Sequence, residues 1–280
     1  MATRSGTTPP SRTPGPRAAG PGLAYLARAA FLALHWAHAA LFMWPRALRK
    51  ARGGRAAPIL HPASCPPAPR RQVGDIEDFD DRAGVYDVLA CPFTIPLFRL
   101  ALRRIAPLPD RASVLDLGCG PGRELGSFAA HPAVQEVVGV DVSPTMCAHA
   151  THRASAKGLA VRIVNADAAG LPAELHDQFD LVLASLTHHH FPDPGAVARE
   201  AVAALKPGGR YCIIDYGPGR TNARLAPLAR VADPGWCGFM TPSELAGLLF
   251  GAGFSDVRWS QLAPGVGVAM ASAGSPPAQP

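Results

Sequence analysis

Three glycines at alternate positions, Gly118, Gly120 and Gly122, are the residues of this 280-residue sequence that point most directly to a bound ligand. The apolar run V-L-D-L over residues 114–117 precedes them, and helix-compatible sequence follows. Glycine permits positive φ and lets a ligand approach the backbone without a Cβ in the way, and the first N–H groups of a following helix point into such a turn. The pattern predicts a strand, a ligand loop and a helix. A tight turn that only packs helix on strand is the alternative, and the spacing differs from the dinucleotide fingerprint G-x-G-x-x-G.

Aspartates follow the next two apolar runs, where the predicted strands end. Asp141 stands 19 residues beyond Gly122, the separation expected for a carboxylate that accepts hydrogen bonds from both hydroxyls of a ribose. The Asp167 side chain could accept a hydrogen bond from an exocyclic amine of a base, and the Ala168 N–H could donate to a nitrogen of its ring. The alternatives are an N-cap role for Asp141 and an Asx turn for Asp167, and Asp180, at the start of a strand, is interpreted as structural. Because ligands bind outside the carboxyl ends of the strands in an open α/β sheet, we expect a nucleoside-bearing ligand there.

Three consecutive histidines, residues 188–190, follow the fourth predicted strand. Adjacent side chains point in different directions and no acidic partner has ligand spacing, so we predict no metal site. A neutral imidazole near a reacting centre can act as a general base, which makes His189 a candidate catalytic or substrate-orienting residue, with a structural role as the alternative. The six cysteines form no C-x-x-C pair, so neither a metal nor a redox framework is indicated, and a reducing compartment is expected.

The rest of the sequence alternates between strand and helix patterns. The predicted strands cover residues 114–117, 137–140, 161–164, 179–184 and 211–214. Ser143-Pro144 and Thr241-Pro242 each predict a helix start, because an N-cap residue precedes proline at the first helical position. We also expect a helix over 95–106, a closing hairpin near the C-terminus and an insertion over the site at 216–240. The alternation implies right-handed βαβ crossovers and therefore an α/β fold with a doubly wound, mostly parallel sheet.

Composition divides the chain into a basic leader and a mildly acidic body. Residues 1–72 contain eleven Arg or Lys and no Asp or Glu, whereas the remainder has 16 basic and 21 acidic side chains, a net charge of −5. The predicted organisation is a disordered leader (1–21), a hydrophobic and basic helix (22–52), a linker (53–74), a catalytic domain (75–271) and a disordered tail (272–280). Residues 22–55 suit a membrane-associated helix, an organellar transit peptide or a helix packed on the catalytic domain. A basic leader on an acidic body argues against nucleic acid as a partner.

Five segments, taken together, resemble the successive motifs of class I S-adenosylmethionine-dependent methyltransferases in order and spacing. These segments are residues 114–125, 138–146, 165–171, 179–191 and 205–216. The resemblance implies a Rossmann-like seven-stranded sheet of order 3-2-1-4-5-7-6 with strand seven antiparallel. It also implies S-adenosylmethionine as the cofactor. The glycine loop would hold its methionine part, Asp141 its ribose and Asp167 its adenine amine.

The same resemblance implies a set of cofactor-binding residues and two candidate catalytic residues. The cofactor set is Asp116, Gly118, Cys119, Gly120, Gly122, Asp141, Val142, Met146, Asp167, Ala168 and Ser185. The candidate catalytic residues are His189 and Tyr86. The segment F-D-D-R-A-G-V-Y-D over residues 79–87 looks like the N-terminal segment of ubiquinone/menaquinone-type C-methyltransferases, in which Tyr86 would close over the cofactor; a tyrosine that packs the first helix is the alternative. The segment H-H-F-P-D over residues 189–193 resembles the H-H-x-P-D segment of the same broad group, but this chain has Thr187-His188 where the quinone enzymes carry an Arg-Asn pair after strand four.

These expectations describe an enzyme that transfers a methyl group to a small or lipophilic acceptor by in-line displacement, a reaction in which positioning does most of the work. Protein methylation and a cofactor-binding scaffold without turnover are the alternatives. We expect the protein in the cytoplasm or on the cytoplasmic face of a membrane, with organellar import as the alternative.

Overall fold

The computed structural model describes residues 59–62, 91–105, 107–217, 237–263 and 265–274. Its strands are β1 (Ile59–Leu60), β2 (Ala112–Leu117), β3 (Val134–Asp141), β4 (Arg162–Asn165), β5 (Phe179–Ser185), β6 (Leu205–Tyr216), β7 (Phe254–Ala263) and β8 (Val266–Ala273). Its helices are α1 (Cys91–Ile105), α2 (Leu125–Ala129), α3 (Pro144–Ala156), α4 (Pro194–Ala204) and α5 (Pro242–Ala252). Short 3₁₀ turns cover Ala173–Leu175 and His188–His190.

The eight strands within the described residues form one sheet of order β1-β7-β8-β6-β5-β2-β3-β4. The pairs among β2 to β6 are parallel, and β8 is antiparallel to both β6 and β7. Counted from β2 and without β1, the order is 3-2-1-4-5-7-6 with an antiparallel seventh strand. The predicted fold class and the closing hairpin are therefore confirmed.

The first strand is an addition that the sequence did not indicate. Ile59 pairs with Arg258 and Leu60 with Val257, so this two-residue strand lies antiparallel along the outer edge of β7. It falls within the range predicted to be a linker. Leu60 packs against the core, which gives the pairing an apolar contact in addition to its backbone hydrogen bonds.

The central strands are buried on both faces, because helices cover each side of the sheet. In β5, Val182 and Ala184 pack in the cluster that includes α4 and α5. Leu181 and Leu183 point the other way, into the cluster that includes α1 and α2. Near-continuous apolar runs such as that of β5 are the expected sequence of strands buried on both faces.

Helix starts follow the predicted capping residues. The Ser143 Oγ accepts a hydrogen bond from Met146 N at the start of α3. Thr241 and Glu244 form a reciprocal capping box at the start of α5. One boundary differs from the prediction, since β6 begins at Leu205, directly after α4, and not at residue 211. Gly253 ends α5 in the left-handed conformation.

Several predicted features lie outside the described residues. They are the leader, the hydrophobic and basic segment, most of the linker, Tyr86 with its segment, most of the 216–240 insertion and the end of the tail. Within the described ranges, no helix has the length and apolar character that crossing a membrane requires.

Candidate active site

The glycine loop connects β2 to α2 at the carboxyl edge of the sheet. Gly118, Gly120 and Gly122 have φ values of +67°, +52° and +73°, a conformation that other residues rarely adopt. The N–H groups of Gly118 and Cys119 donate to the Val140 carbonyl at 2.8 and 2.9 Å, which ties the loop to the end of β3. All three glycines are thus required by backbone conformation.

The space around the three glycines divides them into two kinds. A Cβ on Gly118 would overlap Thr187 Oγ1, and a Cβ on Gly122 would lie 2.9 Å from the Ala150 Cβ. A Cβ on Gly120 would meet no atom within 4 Å. The outer glycines therefore allow close packing, as in the tight-turn interpretation, whereas the middle glycine borders open space, as the ligand-loop interpretation requires.

Asp141 joins this loop to the start of α3. Its Oδ2 accepts from Gly120 N at 2.8 Å and its Oδ1 accepts from Ser143 N at 3.0 Å. The N-cap of α3 is Ser143, so Asp141 does not have that role. Asn165 supports the same corner, because its side-chain amide donates to the carbonyls of Asp141 and Val142 at 2.9 and 3.0 Å. Each carboxylate oxygen has two lone pairs and can accept a further hydrogen bond from a ligand.

Asp167 and Ala168 follow β4 at the same edge of the sheet. The Asp167 Oδ1 accepts from Ala169 N at 2.8 Å, which is the Asx turn given as the alternative. The Asp167 side chain is exposed and Ala168 is buried. A carboxylate in such a turn retains a second oxygen, so the turn and a ligand contact are compatible.

Two buried polar atoms at the carboxyl ends of β2 and β5 have no hydrogen-bond partner, Asp116 Oδ1 and Ser185 Oγ. Burial raises the pKa of the Asp116 carboxyl well above its usual range, and the neighbouring Glu124 and Asp141 raise it further. Burial also raises the pKa of Glu124, to about 7. An accumulation of poorly compensated carboxyl groups is the electrostatic environment that a cationic ligand would stabilise.

Cys119 and Met146, two of the predicted cofactor-binding residues, place their side chains in the interior. A Cβ on Gly139 would lie 2.8 Å from Cys119 Sγ, so the glycine on β3 makes room for this thiol. Burial and the nearby acids raise the pKa of Cys119 well above its usual value, which keeps it a neutral thiol. Only the backbone of these two residues is available to a ligand at the loop.

His189 is held by Asp215 at the carboxyl end of β6. His189 Nδ1 lies 2.7 Å from Asp215 Oδ1, and His189 N donates to Asp215 Oδ2 at 2.8 Å. Both side chains are buried. Burial opposes ionisation of Asp215, but its interaction and hydrogen bond with the His189 ring, aided by His188 and the Tyr216 N–H, outweigh that effect and hold the pKa of Asp215 below its usual range.

The segment before His189 contacts the glycine loop through Thr187. Thr187 lies against Gly118, as the space around that glycine shows. Leu186 has φ of +53°, a strained conformation for a branched side chain, and its N–H donates to the Ile214 carbonyl at 2.7 Å. Backbone strain of this kind is concentrated at functional sites. No group of three or more potential metal ligands exists among the described residues.

A small cavity adjoins the His189–Asp215 pair. It is lined by His188, His189, Ile213, Asp215, Tyr216, Gly238, Met240, Leu245 and Trp259. Sequence reasoning predicted His189 but gave no role to Asp215, Met240 or Trp259. The one available signal was the position of Asp215 at the end of the fifth predicted strand, where acidic residues of α/β sheets face ligands.

Comparisons with known proteins agree with this geometry. A profile described as a methyltransferase domain matches residues 114–209. Nocamycin O-methyltransferase of Saccharothrix syringae is 32% identical over an alignment of 204 positions, which covers 64% of this chain and 72% of that protein. The ubiquinone biosynthesis O-methyltransferase of Xanthomonas axonopodis pv. citri is 32% identical over an alignment of 155 positions, which covers 52% of this chain and 63% of that relative.

The solved structure of the YcgJ protein of Bacillus subtilis superposes with a TM-score of 0.53 at 29% identity, covering 59% of this chain and 70% of that one. The chain belongs to the class I S-adenosylmethionine-dependent methyltransferases. Membership implies S-adenosylmethionine as the cofactor, and three observations at the loop fit that molecule. They are the open space beside Gly120, the unpartnered Asp116 Oδ1 and the carboxyl groups that suit a cationic sulfonium and ammonium.

Proposed function

We propose that this enzyme methylates a hydroxyl group of a small molecule, with His189 as the general base and Asp215 as the residue that positions it. The observation that carries the proposal is the 2.7 Å contact between His189 Nδ1 and Asp215 Oδ1. Two relatives that share about a third of their aligned residues with this chain are named as O-methyltransferases, which supports oxygen as the acceptor atom.

The tautomer of His189 follows from its partner. An ionised carboxylate only accepts hydrogen bonds, so Nδ1 carries the proton and Nε2 carries the lone pair of a base. When Nε2 takes the proton of the acceptor hydroxyl, the resulting imidazolium lies against the Asp215 carboxylate, which stabilises it. The burial of both groups strengthens this interaction, because charges inside a protein are screened less than charges at its surface.

The cofactor would bind at the glycine loop. Gly120 would face it, Asp141 would accept from the ribose, and Asp116 would offer its unpartnered oxygen to a positively charged group. Asp167 and Ala168 would contact the adenine. When bound, S-adenosylmethionine supplies an electrophilic methyl group to an oxygen nucleophile. The chain's own contribution is to align the acceptor, exclude water and receive the proton.

The proposal is tested with methyl-labelled S-adenosylmethionine and a whole-cell extract divided into organic and protein fractions. We expect label in the organic fraction, released as a methyl ether that mild base does not cleave. His189→Gln, which keeps a polar side chain but is no base, should lower incorporation by roughly 10²-fold or more. Label in the protein fraction would support protein methylation, and cofactor binding without any incorporation would support the scaffold alternative; either result overturns the proposal.

We further propose that residues 22–55 contact an anionic membrane surface. The support is the sequence, in which an apolar stretch precedes a run of Arg and Lys, and the direction of β1. Since β7 is parallel to β6 and β1 is antiparallel to β7, the amino end of β1 points toward the carboxyl edge, where the active site lies. A lipophilic acceptor could then pass from the membrane to the site.

Flotation with vesicles of phosphatidylcholine and phosphatidylserine tests the membrane proposal on the full chain. Arg46→Gln with Arg49→Gln should weaken binding by roughly tenfold or more, because each basic residue near an anionic surface contributes about 1 kcal/mol. Arg99→Gln with Arg103→Gln, on exposed positions of α1, is the matched control. Equal flotation of the two double variants, or no flotation of the unmodified chain, would show the proposal to be wrong.

A further inference from the structure

Trp259 on β7 reaches across the sheet over two glycines. A Cβ on Gly267 would overlap Trp259 Cζ2, and a Cβ on Gly217 would lie 3.3 Å from the same atom. Gly267 is paired with Asp215 in the register of β8 and β6. The indole therefore passes over β8 and ends beside the strand that carries Asp215. The missing side chain of Gly267 makes room for it, and Gly217 allows its close approach.

The cavity that Trp259 borders is aromatic and apolar apart from its histidines and Asp215. Tyr216 lies edge-on to His189 at 5.3 Å between ring centroids and edge-on to Phe239 at 6.1 Å. Met240, Leu245 and Ile213 complete the apolar lining. The Asp215 carboxylate is engaged by His189 and by Tyr216 N, so the described part of the lining offers no carboxylate or guanidinium for a charged acceptor.

The geometry points to a planar aromatic acceptor, a neutral ring compound that bears a hydroxyl, with Trp259 as the specificity-determining residue against which the ring packs. This inference rests on the proposed function and names the substrate class of the same site. An indole offers a flat contact surface, and aromatic pairs gain a factor of roughly 2 to 10 in affinity beyond the burial of apolar area.

The chemistry of the base favours the same class. A phenolic hydroxyl has a pKa near 10, whereas the hydroxyl of water has a pKa of about 15.7. The pKa of an aliphatic alcohol is close to that of water. A neutral imidazole therefore removes a proton far more readily from a phenol than from an aliphatic alcohol. In the reaction the aryl oxygen forms a bond to the methyl carbon, the bond from that carbon to the sulfonium sulfur breaks, and the hydroxyl proton goes to His189 Nε2.

The test compares two probes of matched size, 2-naphthol and its saturated counterpart decahydro-2-naphthol. Calorimetric affinities of the full chain for both probes give a preference ratio, measured with S-adenosylhomocysteine present. We expect 2-naphthol to bind more tightly, and we expect Trp259→Leu to reduce the ratio by roughly threefold or more. Trp259→Phe, which keeps an aromatic ring, should retain most of the preference.

Gly267→Ala tests the space that Gly267 leaves for the indole, without changing Trp259 itself. Gly267 does not have a positive φ, so alanine is compatible with its backbone, but the new Cβ must displace the indole. This variant should also reduce the ratio. Gly251→Ala is the matched control, because a Cβ on Gly251 would meet no atom within 4 Å.

Every outcome of the binding test decides the inference. An unchanged ratio in both Trp259→Leu and Gly267→Ala, equal binding of the two probes by the unmodified chain, or binding of neither probe would overturn it. The proposed function fails separately, when His189→Gln incorporates as much label from extract as the unmodified chain. If the protein transfers methyl groups to molecules in the extract but the preference ratio of the variants is unchanged, the proposed function would be supported and the inference of an aromatic acceptor would be wrong.

Discussion

Asp215 accepts hydrogen bonds from both the backbone and the ring of His189, and from Tyr216 N. A buried carboxylate with this many donors is stabilised in its ionised form, in spite of the cost of burial. The same bonds fix the orientation of the imidazole ring. At the scale of the residue, the base and the group that orients it form one unit, so changes to either should affect the chemical step more than acceptor binding.

Replacement of Asp215 by asparagine should distinguish an effect on the chemical step from an effect on acceptor binding. The asparagine side chain would keep the size of the aspartate but lose the charge that favours the Nδ1–H tautomer and the imidazolium, so we expect kcat to fall by roughly 10²-fold or more while KM for the acceptor changes little. Asp215→Glu should restore part of kcat. Steady-state kinetics over a range of pH make the measurement, since loss of the carboxylate should also shift the acidic limb of the kcat profile.

A purely structural role for Asp215 gives a different result. Both variants would then lose thermal stability and activity together, with the shape of the pH profile unchanged. Asp256, a partly exposed aspartate paired with Arg258, is the control position, and Asp256→Asn should alter neither kcat nor the profile.

At the scale of the element, the glycine loop shows what sequence patterns predict and what they miss. The strand, the turn and the positive φ values follow from an apolar run that ends in alternating glycines. The sequence pattern does not predict that Gly118 packs closely while Gly120 borders open space. This difference depends on Thr187, which lies 69 residues from Gly118 in the chain and reaches it only through the pairing of β2 with β5. The periodicity of apolar residues in a sequence indicates local backbone geometry. It does not indicate which residues of distant strands come into contact.

The same limit explains the other differences. Asp141 was predicted from its spacing, but Asp215 was not connected to His189, because 26 residues separate them. Strand β1 has two residues and lies among prolines and glycines, too short for any alternation to be recognised. The resemblance of five motifs supplied the sheet order, which hydrophobic patterns alone leave open.

Alanine at Gly118 tests the packing role of the loop. The positive φ and the clash with Thr187 should together destabilise the fold by about 2 to 4 kcal/mol and weaken cofactor binding. Gly158→Ala is the matched control, because Gly158 has φ of +61° but a Cβ there would meet no atom within 4 Å. Urea unfolding of both variants measures the difference. Equal losses would mean that backbone strain alone, without packing against Thr187, sets the requirement for glycine.

At the scale of the whole molecule, charge is unevenly distributed. The basic leader stands in contrast to the acidic body, and within the body carboxyl groups gather at the loop where a cationic cofactor would bind. This arrangement costs stability when the site holds no cation, because buried carboxyl groups resist ionisation. The acidity of the site should therefore appear in the pH dependence of folding.

Glu124 makes that dependence measurable. Burial raises its pKa to about 7, so between pH 4.5 and 7 the folded protein retains a proton that the unfolded chain has lost. Its contribution to stability therefore falls as pH rises through this window. Glu124→Gln should be more stable than the unmodified protein at pH 8, by up to about 3 kcal/mol, and nearly equal to it at pH 4.5.

Urea unfolding of the cofactor-free protein at both pH values makes this measurement. Glu174→Gln removes the same charge from an exposed position, and its difference from the unmodified protein should not depend on pH. A Glu124→Gln difference that is the same at pH 4.5 and pH 8 would show that Glu124 titrates in the folded protein as it does in the unfolded chain.

The most direct test is calorimetric titration of the purified full chain with S-adenosylmethionine. We predict saturable binding at one site and a loss of roughly tenfold or more in Asp141→Ala, because a hydrogen bond to a charged group contributes about 1.5 to 3 kcal/mol. Asp141→Asn, which disturbs the loop less, should also weaken binding, and Asp256→Ala should not. Absence of saturable binding, or equal affinity in the unmodified chain and both Asp141 variants, would contradict the assignment of the cofactor site.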